Sequence, residues 1–156
     1  MMVSSALLHR GAARRLVLRL KYQGCREAAE VLSAMMAPLL PTDARVLVPI
    51  PRIYYRRVKF GTDPGWLLTQ ALGRRCGLTV SRALGPRVLG SANAGLARSA
   101  RKVRFHGRRP APEGLVLVDD VITTGMTLQT AVETLGGVRV RAGVTATASP
   151  AGWRKS

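Results

Sequence analysis

Two adjacent carboxylates, Asp119-Asp120, followed at once by Val121-Ile122-Thr123-Thr124-Gly125-Met126-Thr127, are the residues of this sequence best suited to chemistry. Neighbouring carboxylates repel each other. They are tolerated where they accept hydrogen bonds from ligand hydroxyls or share a hard cation such as Mg²⁺. Gly125 has no Cβ, so an oxyanion can approach the backbone there. Amide N–H groups at the start of a helix point at such an anion, and the helix dipole favours it. Threonine hydroxyls add donors. A sugar diol beside a phosphate satisfies both halves, and phosphorylated ribose is such a ligand. Asp-Asp alone is common in solvated turns and Thr-Thr-Gly alone is weak; the flanking elements make the signal specific.

Leu115-Val116-Leu117-Val118 is apolar at every position, as a strand buried on both faces of a parallel sheet should be. The acid pair then stands at its carboxyl end, where open α/β sheets bind ligands. Leu128, Ala131, Val132 and Leu135 give a helical face closed by Gly136-Gly137, and 138–148 supplies a last strand. Upstream, Ala13, Leu16, Val17 and Leu20 form one helical face and Ala28, Val31, Leu32 and Met35 another, with Gly24 between them and Pro38 and Pro41 ending the run. Val46 to Val48 is a short strand stopped by Pro49 and Pro51, and a basic loop with Arg52, Arg56, Arg57 and Lys59 follows. Thr62 or Asp63 can cap a helix whose face is Leu68, Ala71, Leu72 and Cys76 and whose stop is Gly77. A weak strand fits 80–84. Strands alternating with helices predict an α/β fold, a largely parallel sheet flanked by helices.

The 156 residues fit one domain. With 47% hydrophobic and 21% charged residues the chain is globular rather than disordered. Cys25 and Cys76 stand far apart, in no metal-ligand spacing; they fit free thiols in a reducing, cytoplasmic setting and exclude a zinc motif. No apolar run approaches the roughly 20 residues of a spanning helix, so no membrane insertion is expected. The formal net charge is +17, and 21 of the 25 basic residues are arginine. Compositional bias explains arginine over lysine but not the mere eight acids, so a polyanionic partner is the other reading. Arg98, Arg101, Lys102, Arg104, Arg108 and Arg109 fall in 96–109 without an acid, the pattern of a flexible basic loop.

Asp119-Asp120-Val-Ile-Thr-Thr-Gly-Met-Thr127 resembles the phosphoribosyl pyrophosphate (PRPP) motif of the type I phosphoribosyltransferases. Within them the chain resembles the ComF group of competence-related, amidophosphoribosyltransferase-like proteins. Leu20-Lys21-Tyr22-Gln23-Gly24 is similar to that group's Leu-Lys-Tyr-x-Gly, Val48-Pro49-Ile50-Pro51 to its Val-Pro-x-Pro, and Gly95-Leu96 with Arg98 and Arg101 to its Gly-Leu-x-Arg-x-x-Arg. The resemblance implies a single phosphoribosyltransferase-like domain over 1–156, with an N-terminal helical part over about 4–37 and a PRPP-binding core over about 45–149. It implies that Asp119 and Asp120 hold the ribose hydroxyls and serve catalysis. Thr123, Thr124, Gly125, Met126 and Thr127 would hold the 5′-phosphate, with Pro49 and Arg52 near pyrophosphate. Mg²⁺ would reach Asp119 and Asp120 through ribose or water, and the loop of Arg98, Arg101, Lys102 and Arg104 would close over the site. The implied activity is transfer of a 5-phosphoribosyl group to a nitrogen acceptor with release of pyrophosphate.

The group commonly reads Gly-Phe-Asn-Gln where this chain has Gly61-Thr62-Asp63-Pro64, and Asn93 and Arg104 replace a usual Gln and Asn. Thr123 stands where purine-salvage members carry a carboxylate base, which argues against hypoxanthine-type salvage. The alternative function is a non-enzymatic accessory of DNA uptake or processing that binds single-stranded DNA or a DNA-processing helicase. Tyr54, Tyr55, Trp66, Phe105 and Trp153 are its base-stacking candidates, and burial accounts for each equally well.

Overall fold

The computed structural model describes residues 1–51, 63–86, 105–107, 113–136 and 140–150. Five parallel strands form one sheet: β1 (Met2–Leu8), β2 (Val46–Pro49), β3 (Thr79–Val80), β6 (Leu115–Ile122) and β7 (Val140–Ala148), in the order β1-β7-β6-β2-β3. A separate antiparallel pair joins β4 (Leu84–Pro86) to β5 (Phe105–Gly107). Among the described residues the α-helices are α1 (Gly11–Gln23), α2 (Arg26–Met36), α3 (Pro64–Cys76) and α4 (Met126–Leu135). The expected α/β class, with its parallel sheet flanked by helices, is the observed one.

Sequence patterns explain most of these elements. Gly24 and Gly77 end α1 and α3 in the left-handed conformation, each with its N–H returned to a carbonyl of the last turn. Of the two capping candidates for α3, Asp63 serves: its Oδ1 accepts from the Trp66 amide at 3.1 Å. Gly65 is required for packing, because a Cβ there would lie 2.8 Å from the Ile50 carbonyl oxygen. The missing side chain lets the start of α3 settle against the end of β2.

The two sheet faces are covered unequally. Val17 and Leu20 of α1, Ala29 and Leu32 of α2 and Leu68 and Leu72 of α3 pack with Leu47, Val116, Val118 and Val144 on one face. On the other, Leu128, Ala131 and Leu135 of α4, with Leu84 and Phe105, cover Val48, Leu115 and Leu117. Val116 and Val118 face one way and Leu115 and Leu117 the other, all with no exposed surface, which is why β6 reads as a continuous apolar run. Each such leucine contributes about 1.5–3 kcal/mol by burial.

Four features differ from the sequence expectation. The chain begins with a strand, β1, where the sequence predicts a helical segment from about residue 4; β1 pairs in parallel with β7, a partner nearly the whole chain away. On α2 the inward stripe is Ala28, Ala29, Leu32, Ser33 and Met36, while Val31 and Met35 are exposed. Two neighbouring stripes of α2 are apolar, and Ser33 can turn inward because its hydroxyl donates to the Glu30 carbonyl at 2.8 Å. The weak strand at 80–84 is two strands, β3 and β4, in different sheets. The expected basic loop over 96–109 contains β5, whose Phe105 is buried in the core.

Candidate functional site

The order β3-β2-β6-β7 places a topological switch between β2 and β6. From β2 the chain passes through α3 on one face to β3; from β6 it passes through α4 on the other face to β7. The two connections leave the sheet on opposite faces at the carboxyl ends of β2 and β6, the position at which ligands of such sheets bind. Pro49, buried on β2, pairs with Val118, and the Ile50 amide donates to the Val118 carbonyl at 2.8 Å. Val48-Pro49-Ile50-Pro51 and Asp119-Asp120 thus lie at the ends of neighbouring strands.

The acid pair lies further inside the fold than expected. β6 continues through Ile122, and Asp119 pairs with Thr145 of β7, so the carboxylates sit on the ordered last part of a strand rather than beyond it. Asp120 is buried, and its Oδ1 lies 2.9 Å from Lys21 Nζ on α1. Asp119 is half-buried and its Oδ1 accepts from the Asp120 amide at 2.8 Å. Burial, and then the Asp120 charge, push the Asp119 carboxyl up to about 8, against the smaller pull of that amide and of Lys21.

Thr123, Thr124 and Gly125 make the turn from β6 into α4. Gly125 is the N-cap at φ 79°, a conformation that disfavours any side chain, and its carbonyl accepts the Gln129 amide at 3.0 Å. Thr123, Thr124 and Met126 are exposed and Thr127 is half-buried. Amides of a helix's first turn have no partner within the helix, and that of Met126 lies 3.5 Å from Thr124 Oγ1. The structure places Asp119 and Asp120 on β6 and residues 123–127 in the turn and first residues of α4 that follow it. Arg52, Arg98, Arg101, Lys102 and Arg104 lie outside the described residues.

A second set of polar groups, which sequence reasoning missed, adjoins the first. Within the β1–β7 pairing the Ser5 and Thr145 hydroxyls are 2.5 Å apart, and at its end His9 Nδ1 is 2.9 Å from Thr147 Oγ1. Thr147 Oγ1 donates to the Asp120 carbonyl at 3.1 Å. The His9 amide donates to the Ala148 carbonyl at 2.7 Å and fixes the residue where β1 ends. Burial lowers the His9 pKa, with the charges of Lys21 and Arg14 acting the same way and Asp120 opposing them. No motif announces these residues, because Ser5 and His9 meet partners 140 and 138 positions away.

Among the described residues no cluster of three or more histidine, cysteine, aspartate or glutamate side chains could hold a metal ion. No helix among them is long and apolar enough to cross a membrane. Of the aromatic candidates for base stacking, Phe105 is buried and Trp66 carries the Arg82 guanidinium 3.8 Å over its ring. Tyr54, Tyr55 and Trp153 lie outside the described residues. A cavity of about 190 Å³ between α2 and α3 is away from the strand ends, and its Glu30 and Arg74 are paired at 2.7 Å.

No family model matches the sequence, and no curated protein matches it. Solved structures do match the fold. The UMP synthase of Leishmania donovani superposes with a TM-score of 0.50 at 15% identity, over 88% of this chain and 32% of that one. This chain therefore spans about a third of that protein's length. The fold is that of the type I phosphoribosyltransferases. Looser likenesses are a hypoxanthine phosphoribosyltransferase from Staphylococcus aureus (TM-score 0.44, 16% identity, 84% of this chain and 66% of that one) and one from Trypanosoma cruzi (0.41, 19%, 92% and 70%).

Proposed function

We propose that this chain binds PRPP with Mg²⁺ and transfers the 5-phosphoribosyl group to a nitrogen nucleophile, releasing pyrophosphate. The observation that carries the reading is the acid pair at the end of β6, beside the Gly125 turn at the start of α4, at the switch point of a parallel sheet. In this reading Asp119 and Asp120 accept hydrogen bonds from the ribose diol. Lys21 engages Asp120 Oδ1 and holds the carboxylate in place. Residues 123–127 receive the 5′-phosphate on backbone amides and threonine hydroxyls. Pyrophosphate lies on the β2 side, near Pro49 and Arg52, and the segment with Arg98, Arg101, Lys102 and Arg104 closes over it.

As the bond from C1 of the ribose to pyrophosphate breaks, positive charge develops on the ribosyl ring. Fixed carboxylates beside that ring stabilise the charge and orient the carbon towards its acceptor. Mg²⁺ is commonly held by one or two carboxylates together with substrate phosphates, and the adjacent carboxyls of Asp119 and Asp120 on β6 fit that use. When bound, the ion would neutralise charge on the departing pyrophosphate. The resemblance of Lys21-Tyr22-Gln23-Gly24 and Val48-Pro49-Ile50-Pro51 supports membership of the ComF group and a cytoplasmic setting.

The charge of +17 favours a second reading, an accessory that binds single-stranded DNA or a helicase. Burial of Phe105 and the Arg82–Trp66 stack leave fewer aromatic faces for bases. One experiment separates the two: pyrophosphate release from PRPP and Mg²⁺ over a panel of amines and nucleobases, beside a salt titration of single-stranded DNA binding. Release with one acceptor class supports the transferase. Silence across the panel, with DNA binding that weakens steeply in salt, supports the accessory.

A further inference from the structure

Five parallel strands end on the same side of the sheet, and the acid pair divides that side in two. On one flank lies β2, the proposed pyrophosphate side. On the other lie the ends of β7 and β1, occupied by Thr147 and His9. A nucleophile that displaces a leaving group enters opposite to it, so an acceptor nitrogen would arrive over β7 and β1. There it would have a proton to lose. Asp119 and Asp120 are engaged with the diol, Thr123 offers no carboxylate, and Lys21 and Arg14 are cations that cannot accept a proton.

The hydrogen-bond chain fixes which nitrogen of His9 is available. A carbonyl oxygen can only accept, so the contact of Thr147 Oγ1 with the Asp120 carbonyl uses the threonine's single hydrogen. Thr147 Oγ1 must then accept from His9, which makes Nδ1 the protonated nitrogen and leaves Nε2 with a lone pair. The ring is half-buried, so it is both held and reachable. The described charged groups acting on it are Lys21 and Arg14 of α1 and Asp120 of β6; burial and the two cations keep the imidazole neutral at physiological pH.

We propose that His9 Nε2 is the proton acceptor for the attacking nitrogen, which makes His9 a catalytic residue of the transfer. The inference rests on the transfer reaction proposed above. The nitrogen lone pair forms the bond to C1. The C1–O bond breaks and its electron pair leaves with pyrophosphate. The proton of the attacking N–H passes to Nε2, and the imidazolium returns it to solvent.

The test compares wild type with His9→Asn, whose side-chain amide can still donate to Thr147 Oγ1 but offers no base at the Nε2 position. Pyrophosphate release from PRPP and Mg²⁺ is followed with two small nucleophiles: hydroxylamine, which must lose a proton, and azide, which has none to lose. PRPP binding is followed separately by the melting shift. The expected result is a loss of about a hundred-fold with hydroxylamine, little change with azide, and an unchanged PRPP shift. Imidazole should restore part of the hydroxylamine rate in His9→Ala. Equal rates for wild type and His9→Asn, or equal losses with both nucleophiles, overturn the assignment. So does a wild type that binds PRPP but reacts with neither nucleophile. Absence of a PRPP shift in wild type instead removes the transfer reading on which the inference stands.

Discussion

The ends of β6 and of β7–β1 lie side by side and are built by opposite means. The end of β6 holds formal charge, with Asp119, Asp120 and Lys21 within one cluster, and two of the three are adjacent in sequence. The end of β7–β1 is neutral, a relay of hydroxyls and an imidazole drawn from both ends of the chain. A compact motif is enough to concentrate charge, because a strand end and a helix start bring their groups with them. Orienting a proton acceptor takes partners from several strands, and only the parallel sheet supplies them.

The contrast can be broken from either side. Asp120→Asn should have the largest effect. It keeps shape but removes the charge that Lys21 pairs with and weakens hydrogen bonds worth about 1.5–3 kcal/mol each, so pyrophosphate release should fall ten-fold or more. A rate within two-fold of wild type would contradict a charged role for the β6 end. Thr147→Val removes the relay at its centre and leaves the buried Asp120 carbonyl without this donor. It should cost about 1–3 kcal/mol in chemical unfolding while sparing PRPP binding. Gly125→Ala forces a side chain onto a φ of 79° and should cost about 1–2 kcal/mol, with weaker PRPP binding in the same sample. Unchanged stability would mean that the turn is not held in this conformation.

The smallest effect should be a gain. Asp119 titrates near 8 in the fold against an ordinary 3.8, so the folded state holds a proton that the unfolded chain releases earlier. Its contribution to stability is present at acid pH and is lost as pH rises from about 4 to about 8. Asp119→Asn should flatten that slope and stabilise the protein at pH 8, read as a higher melting temperature there than wild type. A melting temperature that falls at pH 8 would show that the carboxylate is not under strain.

The β6 end was legible in the sequence because its signals are local. Four consecutive apolar residues, an acid pair, a glycine and a helical face specify strand, turn and helix without reference to the rest of the chain. The β7–β1 end was not legible. Met2–Leu8 has no clean alternation, so nothing local marks it as a strand; pairing with β7 decides it. His9 and Thr147 carry no mutual spacing to read, and Lys21, visible within Leu-Lys-Tyr-Gln-Gly, gave no hint that its partner would be Asp120. The inward face of α2 is ambiguous for a related reason: two apolar stripes compete, and the neighbouring elements choose between them.

In the proposed reading the β6 end and the Gly125 turn form a PRPP site. Thermal melting of the wild-type protein with Mg²⁺ and increasing PRPP tests it most directly. Ligand at 100 times its dissociation constant should add about 2.7 kcal/mol, a rise of several degrees that weakens without Mg²⁺ and is lost in Gly125→Val. No shift at millimolar PRPP with Mg²⁺ would contradict the account.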